Sequence, residues 1–117
     1  MCQRFESPFV DDEVSEEMEV SDFLNHNVPP TTVLYSNFNY PVFGYYTNLR
    51  VHRLLVSGPA LYDVLNRLPG DGILIAYREN DVIADPRLKW LDSNAHFRRF
   101  REFPSLVLYE YRASDGR

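Results

Sequence analysis

The side chains that could carry out chemistry are few and widely spaced in this sequence. Cys2 is the one cysteine, and the histidines are His26, His52 and His96, at spacings that do not suit a shared metal ion. Residues 70–72, Gly-Asp-Gly, lack the lysine and the serine or threonine that follow in a phosphate-binding loop. No serine lies in a Gly-x-Ser-x-Gly turn. We therefore expect no catalytic activity, no metal site and no cofactor.

A first basic cluster combines Arg50, His52 and Arg53, and Arg67 could join it from the end of a following helix. If this segment is an edge strand, it can extend a partner's sheet, and its arginines can bind the partner's carboxylates through two parallel hydrogen bonds. The alternative is that the charges only prevent unwanted strand pairing. These four residues are our first candidate site for binding another protein.

A second basic cluster alternates with aromatic residues, and this pattern is one that holds single-stranded nucleic acid through phosphate contacts and base stacking. Three phenylalanines at a spacing of three also fit the buried seam of a helix, which we expect instead. The sequence pI of about 5.1 argues in the same direction, because it disfavours a phosphate-rich partner. The residues concerned are Arg98, Arg99 and Arg101, with Phe97, Phe100 and Phe103 between them.

The charge is distributed unevenly and predicts the domain boundaries. Residues 1–30 contain eight acids and one base, whereas residues 31–117 contain nine acids and eleven bases. A like-charge segment repels itself, so we expect residues 1–30 to be a flexible acidic arm, 31–113 a single folded domain and 114–117 a tail. The arm could be a solubilising tail, could bind a partner through Phe5 and Phe9, or could fold back onto the basic body.

Hydrophobic periodicity predicts the elements of the folded domain. Leu61, Val64, Leu65 and Leu68 follow helical spacing and predict one main helix, capped at Ser57. Alternating or continuous apolar runs predict strands, with a further short helix after them. The order predicts an α+β domain, in which an antiparallel first strand pair belongs to a mixed sheet and the main helix packs across one face. The predicted strands are 32–40, 49–56, 73–77, 82–84, 87–91 and 105–112, and the short helix is 94–100.

Three stretches resemble one subgroup of ubiquitin-like β-grasp domains, the Ras-binding type. They are residues 49–53 (Leu-Arg-Val-His-Arg), 60–65 (Ala-Leu-Tyr-Asp-Val-Leu) and 87–90 (Arg-Leu-Lys-Trp). They are similar to that subgroup's basic second strand, the start of its helix and its Leu-x-Trp strand. The resemblance covers residues 49–111 and implies a β-grasp fold that binds a protein partner.

Together these features favour a non-catalytic protein-interaction module, an adaptor or an inhibitor such as a viral accessory protein. The chain has no apolar run long enough for a membrane span and no apolar leader, so we expect an intracellular protein. The expected partner is another protein; a nucleic acid is the alternative, and a homo-oligomer is left open.

Overall fold

The sheet and its helices are visible in a computed structural model that describes residues 11–37, 40–55, 59–78 and 86–113. Within these residues, four helices and five strands follow one another along the chain. The helices are α1 (Asp11–Asn27), α2 (Tyr40–Tyr46), α3 (Pro59–Leu65) and α4 (Pro86–Asp92); the strands are β1 (Val33–Ser36), β2 (Arg50–Arg53), β3 (Gly72–Tyr77), β4 (Phe97–Glu102) and β5 (Leu106–Tyr111).

The strands form one mixed sheet in the order β2-β1-β3-β5-β4, so the predicted α+β class with a mixed sheet is confirmed. β1 pairs in parallel with both β2 and β3, and β5 pairs antiparallel with β3 and β4. The predicted antiparallel first pair is wrong, because α2 connects β1 to β2 as a crossover and returns the chain in the same direction. The β-grasp arrangement is not confirmed.

Both faces of the sheet are covered by helices. In β3, Ile73 and Ile75 point into a core that contains buried residues of α1 and α2. Leu74 and Ala76 point into a second core, which contains buried residues of α3 and α4. β3 is thus buried on both sides, and the expected arrangement of one main helix across one face is not clearly shown, because helices cover both faces.

The central helix α3 has the predicted apolar stripe, with Leu61 and Leu65 buried and Leu68 buried just beyond its end. Its predicted cap at Ser57 lies outside the described residues, as do strand 82–84 and tail 114–117. Residues 87–91 are helical rather than extended, because Leu88 and Leu91 repeat at helical spacing after a proline that begins the helix. Trp90 packs against the same core as α3.

Two further elements differ from the sequence-based expectation. Tyr40–Tyr46 is the helix α2, where a strand end and a turn were expected. Pro41 falls in its first turn, where proline is tolerated, and Val42 and Phe43 are buried. The predicted helix over 94–100 is wrong, since β4 occupies Phe97–Glu102 and pairs with β5 over its length.

The acidic segment is also more ordered than predicted. Residues 11–27 form α1, and Val20 and Leu24 on this helix are fully buried in the core. The Oε2 atom of Glu16 accepts a hydrogen bond from the Ser105 amide (2.8 Å), and Tyr77 Oη donates to Glu17 (2.7 Å). Residues 11–27 of the predicted arm thus form a helix that packs on the body, which is the fold-back alternative left open for the arm. Phe5 and Phe9 lie outside the described residues.

Candidate functional site

The first basic cluster lies on an edge strand. Within the described chain, no strand pairs with the outer side of β2, and Arg50, His52 and Arg53 are all exposed. Leu49 is buried and Val51 is packed against the core of α1 and α2, so side chains along this strand alternate between a packed and an exposed face. The pairing with β1 continues from Arg50 through Arg53 without a shift.

Arg50 is an exposed cation of this edge. No described carboxylate forms an ion pair with it. Its guanidinium can therefore donate several hydrogen bonds to an incoming group in a planar arrangement that matches a carboxylate.

His52 lies two residues further along the same face and is held by an aromatic neighbour. Its ring centroid is 5.2 Å from that of Tyr35, the residue beside it on β1. Tyr35 is itself fixed, because its Oη donates to the Gly70 carbonyl (2.7 Å) and accepts from the Gly70 amide (3.2 Å). Burial raises the pKa of Tyr35, so its hydroxyl stays protonated. A rigid core residue thus positions the exposed imidazole.

Of the two other candidate cations, one lies on the opposite face of β2 and the other lies in a turn near the start of this strand. Arg53 is on β2 but alternates to the face of Val51. Arg67 lies in the exposed turn after α3, where its amide donates to the Val64 carbonyl (2.9 Å). Val33 of β1 is aligned with Arg50 of β2 and with Gly72 of β3. The turn that precedes β3 and the start of β2 therefore lie at the same end of the sheet. The structure therefore brings Arg50 and His52 together on one face.

The backbone of β2 also has a defined orientation. The amide of Leu54 donates to the Ser36 carbonyl of β1 (2.9 Å). Peptide groups two residues apart point in the same direction, so the backbone N–H and C=O of His52 and Arg50 also point toward β1. The N–H and C=O of Val51, which lies between them, point away from the sheet. Neither this orientation nor the 71% exposure of Leu55 was predicted from the sequence, although both follow from alternation along β2.

The second basic cluster lies on β4, at the opposite edge, and two of its three arginines are paired with acids of the chain. Arg98 contacts Glu110 at 2.8 Å. Arg99 donates to both carboxylate oxygens of Asp92, each at 2.9 Å, and contacts Glu102 at 3.1 Å. The flanking Phe97 and Phe103 are buried, so this part of the predicted stacking surface is not accessible.

Asp92 links this edge to the core. Besides Arg99, it accepts a hydrogen bond from the buried hydroxyl of Tyr109 at 2.8 Å. The hydrogen bonds from Arg99 lower the pKa of Asp92, and burial together with the Asp92 hydrogen bond raises the pKa of Tyr109. Near neutral pH, Asp92 is therefore ionised and accepts hydrogen bonds, and Tyr109 is protonated and donates one.

A bulge in β4 attaches α1 to this edge. The register with β5 shifts between Arg99 and Arg101, so two residues that would otherwise alternate can both reach α1. The ring of Phe100 meets that of Phe23 edge-on at 5.9 Å, and the Arg101 guanidinium lies 4.6 Å from the Phe23 centroid. An open groove of about 400 Å³ follows this contact. Its lining is Glu19, Asp22, Phe23, His26, Asn27, Arg101 and Phe103.

Among the described residues, no group of three or more histidine, cysteine, aspartate and glutamate side chains is placed to hold a metal ion. In the same part of the chain, no helix has the length and apolar character needed to cross a membrane. No protein-family model, curated protein or solved structure matches the chain.

Proposed function

We propose that this protein is a non-catalytic protein-interaction module, an adaptor or an inhibitor, that binds its partner through the exposed edge β2. The observation that carries the proposal is Arg50, an exposed cation on an edge strand that no described carboxylate neutralises. His52 supplies a second polar side chain on the same face, held by Tyr35. An arginine placed in this way is suited to a carboxylate on a partner.

The same charges could instead serve only to keep other sheets away from the edge. The two roles differ in their consequences, because protection against aggregation needs a charge of either sign and recognition needs a positive one. Replacing Arg50 by glutamate separates them: it preserves a charged edge and removes the attraction for acids.

The alternative function, binding of single-stranded nucleic acid through residues 97–103, receives less support. It requires accessible rings and arginines that can reach phosphates. Phe97 and Phe103 are buried, and Arg98 and Arg99 are engaged by acids of the chain itself. The likeness to Ras-binding β-grasp domains remains a prediction, and the proposal does not depend on it.

The test is a binding measurement with two matched charge reversals. The full chain is immobilised, its partner is captured from the source cell and identified, and Kd is measured for wild type, Arg50→Glu and Lys89→Glu. Lys89 is an exposed cation on α4 and serves as the control. Arg50→Glu should cost about 1.5 to 3 kcal/mol of binding, roughly ten- to a hundredfold in Kd, while Lys89→Glu should leave Kd nearly unchanged. Equal effects of the two variants would refute the proposal.

A further inference from the structure

We infer that the partner presents an extended segment of alternating acidic and apolar residues, which adds to the sheet as a strand beside β2. This inference rests on the proposed function and names the chemistry of the partner. Two observations carry it. The Val51 peptide group points outward, and β2 presents Arg50 and His52 on one face and Val51 on the other.

The backbone supplies the pairing. The N–H and C=O of Val51 point outward, as the Leu54–Ser36 hydrogen bond requires by alternation. One residue with both groups outward can exchange two hydrogen bonds with a residue of an added strand. Strand addition uses these main-chain bonds for affinity and the alternating side chains for specificity.

The side chains supply the specificity. Arg50 and His52 are exposed on one face of β2, whereas Val51 is on the other face and packs against the core. In an added strand, side chains beside Arg50 and His52 would lie on one face, and the side chain beside Val51 would lie on the opposite face. Acidic residues therefore suit the positions beside Arg50 and His52, and an apolar residue suits the position beside Val51. Leu55, exposed just past the strand, offers further apolar surface.

A second copy of this chain suits the edge poorly. β2 has the sequence Arg-Val-His-Arg, so pairing β2 with β2 would offer Arg50 no acid on the neighbouring strand and would bring two basic strands side by side. The acidic segment is complementary to Arg50 in charge, so we commit to that occupant.

The probe is a fluorescent peptide of about eight residues in which glutamate and valine alternate, long enough to span a strand of this length. Two control peptides have the same length. One replaces each valine by proline, which keeps the charge and removes N–H groups needed for pairing. The other replaces each glutamate by lysine and keeps the pairing.

Fluorescence anisotropy with the full chain should show the glutamate–valine peptide binding about tenfold or more tightly than either control, and Arg50→Glu should weaken it by about tenfold. Amide hydrogen exchange should show Val51 unprotected in the free chain and protected with the peptide. Equal binding of the proline control would mean that charge alone attracts the peptide and would overturn the inference.

Two further outcomes would also overturn it. One is failure of the glutamate–valine peptide to bind. The other is protection of Val51 in the free chain together with a dimer in sedimentation, which would make a second copy the occupant. The proposed function is judged separately, by the Kd of the captured partner. If Arg50→Glu weakens that partner while the peptide does not bind, the function stands and strand addition fails.

Discussion

The two edges of this sheet have nearly the same side-chain chemistry and different surroundings. Arginines dominate both β2 and β4. On β4, Arg98 and Arg99 bind acids of the same chain, and Arg101 lies over an aromatic ring of α1. On β2, Arg50 has no described carboxylate partner. A basic edge is therefore a candidate for recognition only where the fold leaves its charges uncompensated. Elsewhere the same residues attach layers of the fold to each other.

The largest loss of stability should come from a substitution in the core between the two edges of the sheet. Leu65 on α3 is 1% exposed. Leu65→Ala removes buried methyl groups and leaves a cavity, so it should lower the free energy of unfolding by about 2 to 5 kcal/mol. Leu61→Ala should act similarly. Urea denaturation measures the loss, with Leu55→Ala as the matched control, because Leu55 is 71% exposed. Equal midpoints for the Leu55 and Leu65 variants would mean that α3 does not pack as described.

The next largest effect should come from the contact between α1 and β4. Phe23 packs edge-on against Phe100 and Phe103, with Arg101 over its ring. Phe23→Ala should therefore cost about 2 kcal/mol and raise the cleavage rate of a glutamate-specific protease at Glu16, Glu17 and Glu19. Phe23→Leu should retain most of the protection. Rapid cleavage of the wild type at these sites would instead restore the flexible arm that the charge pattern predicted.

A smaller loss is expected at Asp92, where the β4 edge meets the core. Asp92→Ala leaves the Tyr109 hydroxyl, which is fully buried, with the Leu88 carbonyl at 3.5 Å as its remaining acceptor. The cost should be about 1 to 2 kcal/mol in urea denaturation. Asp63→Ala is the control, since Asp63 is an exposed acid on α3, and it should change the stability little. A neutral result at Asp92 would show that the β4 network is as dispensable as an ordinary surface ion pair.

Acid should weaken the β4 edge in a manner that can be traced to its carboxylates. Hydrogen bonds from arginines lower the pKa values of Asp92, Glu102 and Glu110. A carboxylate whose pKa is lower when folded contributes stability above its unfolded pKa of about 4, and this contribution is lost as the pH falls through the folded value. Urea midpoints should therefore fall as the pH drops below about 5, and less steeply in Asp92→Asn. If the urea midpoints of wild type and variant fall equally steeply with pH, Asp92 does not contribute to the acid sensitivity.

The elements that sequence reasoning predicted correctly are those with an undisturbed periodic signal. Leu61, Leu65 and Leu68 mark α3 by helical spacing, and the continuous apolar run of β3 marks a strand buried on both faces. The local pattern of β2 also placed Arg50 on an exposed face. The predictions that were wrong concern elements whose structure depends on contacts between residues distant in the sequence. The charge of α1 concealed two fully buried residues, Val20 and Leu24, and the Phe-x-x-Phe-x-x-Phe pattern of β4 matched a helix although the bulge and the pairing with β5 make it a strand.

The candidate site illustrates the same division. Exposure of Arg50 and His52 follows from alternation along one strand, which is visible in the sequence. Whether a guanidinium has a partner depends on which acids the fold brings beside it. Arg99 meets Asp92 and Glu102 because α4 and the end of β4 lie next to it, and no spacing rule distinguishes Arg99 from Arg50 beforehand. The position of β2 at an edge likewise follows from the crossover through α2, which the sequence did not predict.

The smallest effect on stability should be that of Arg50→Glu, and it is the sharpest test of the difference between the edges. Arg50 has no described ion pair to lose, and exposed strand charges contribute little, so the unfolding free energy should change by less than about 0.5 kcal/mol. Arg99→Glu is the matched reversal on β4. It places a carboxylate against Asp92 and Glu102 and should destabilise measurably. Thermal and urea melts of both variants decide the matter. A large loss with Arg50→Glu would mean that this guanidinium is paired and structural, in which case β2 would be a compensated edge like β4 and could not be the recognition surface.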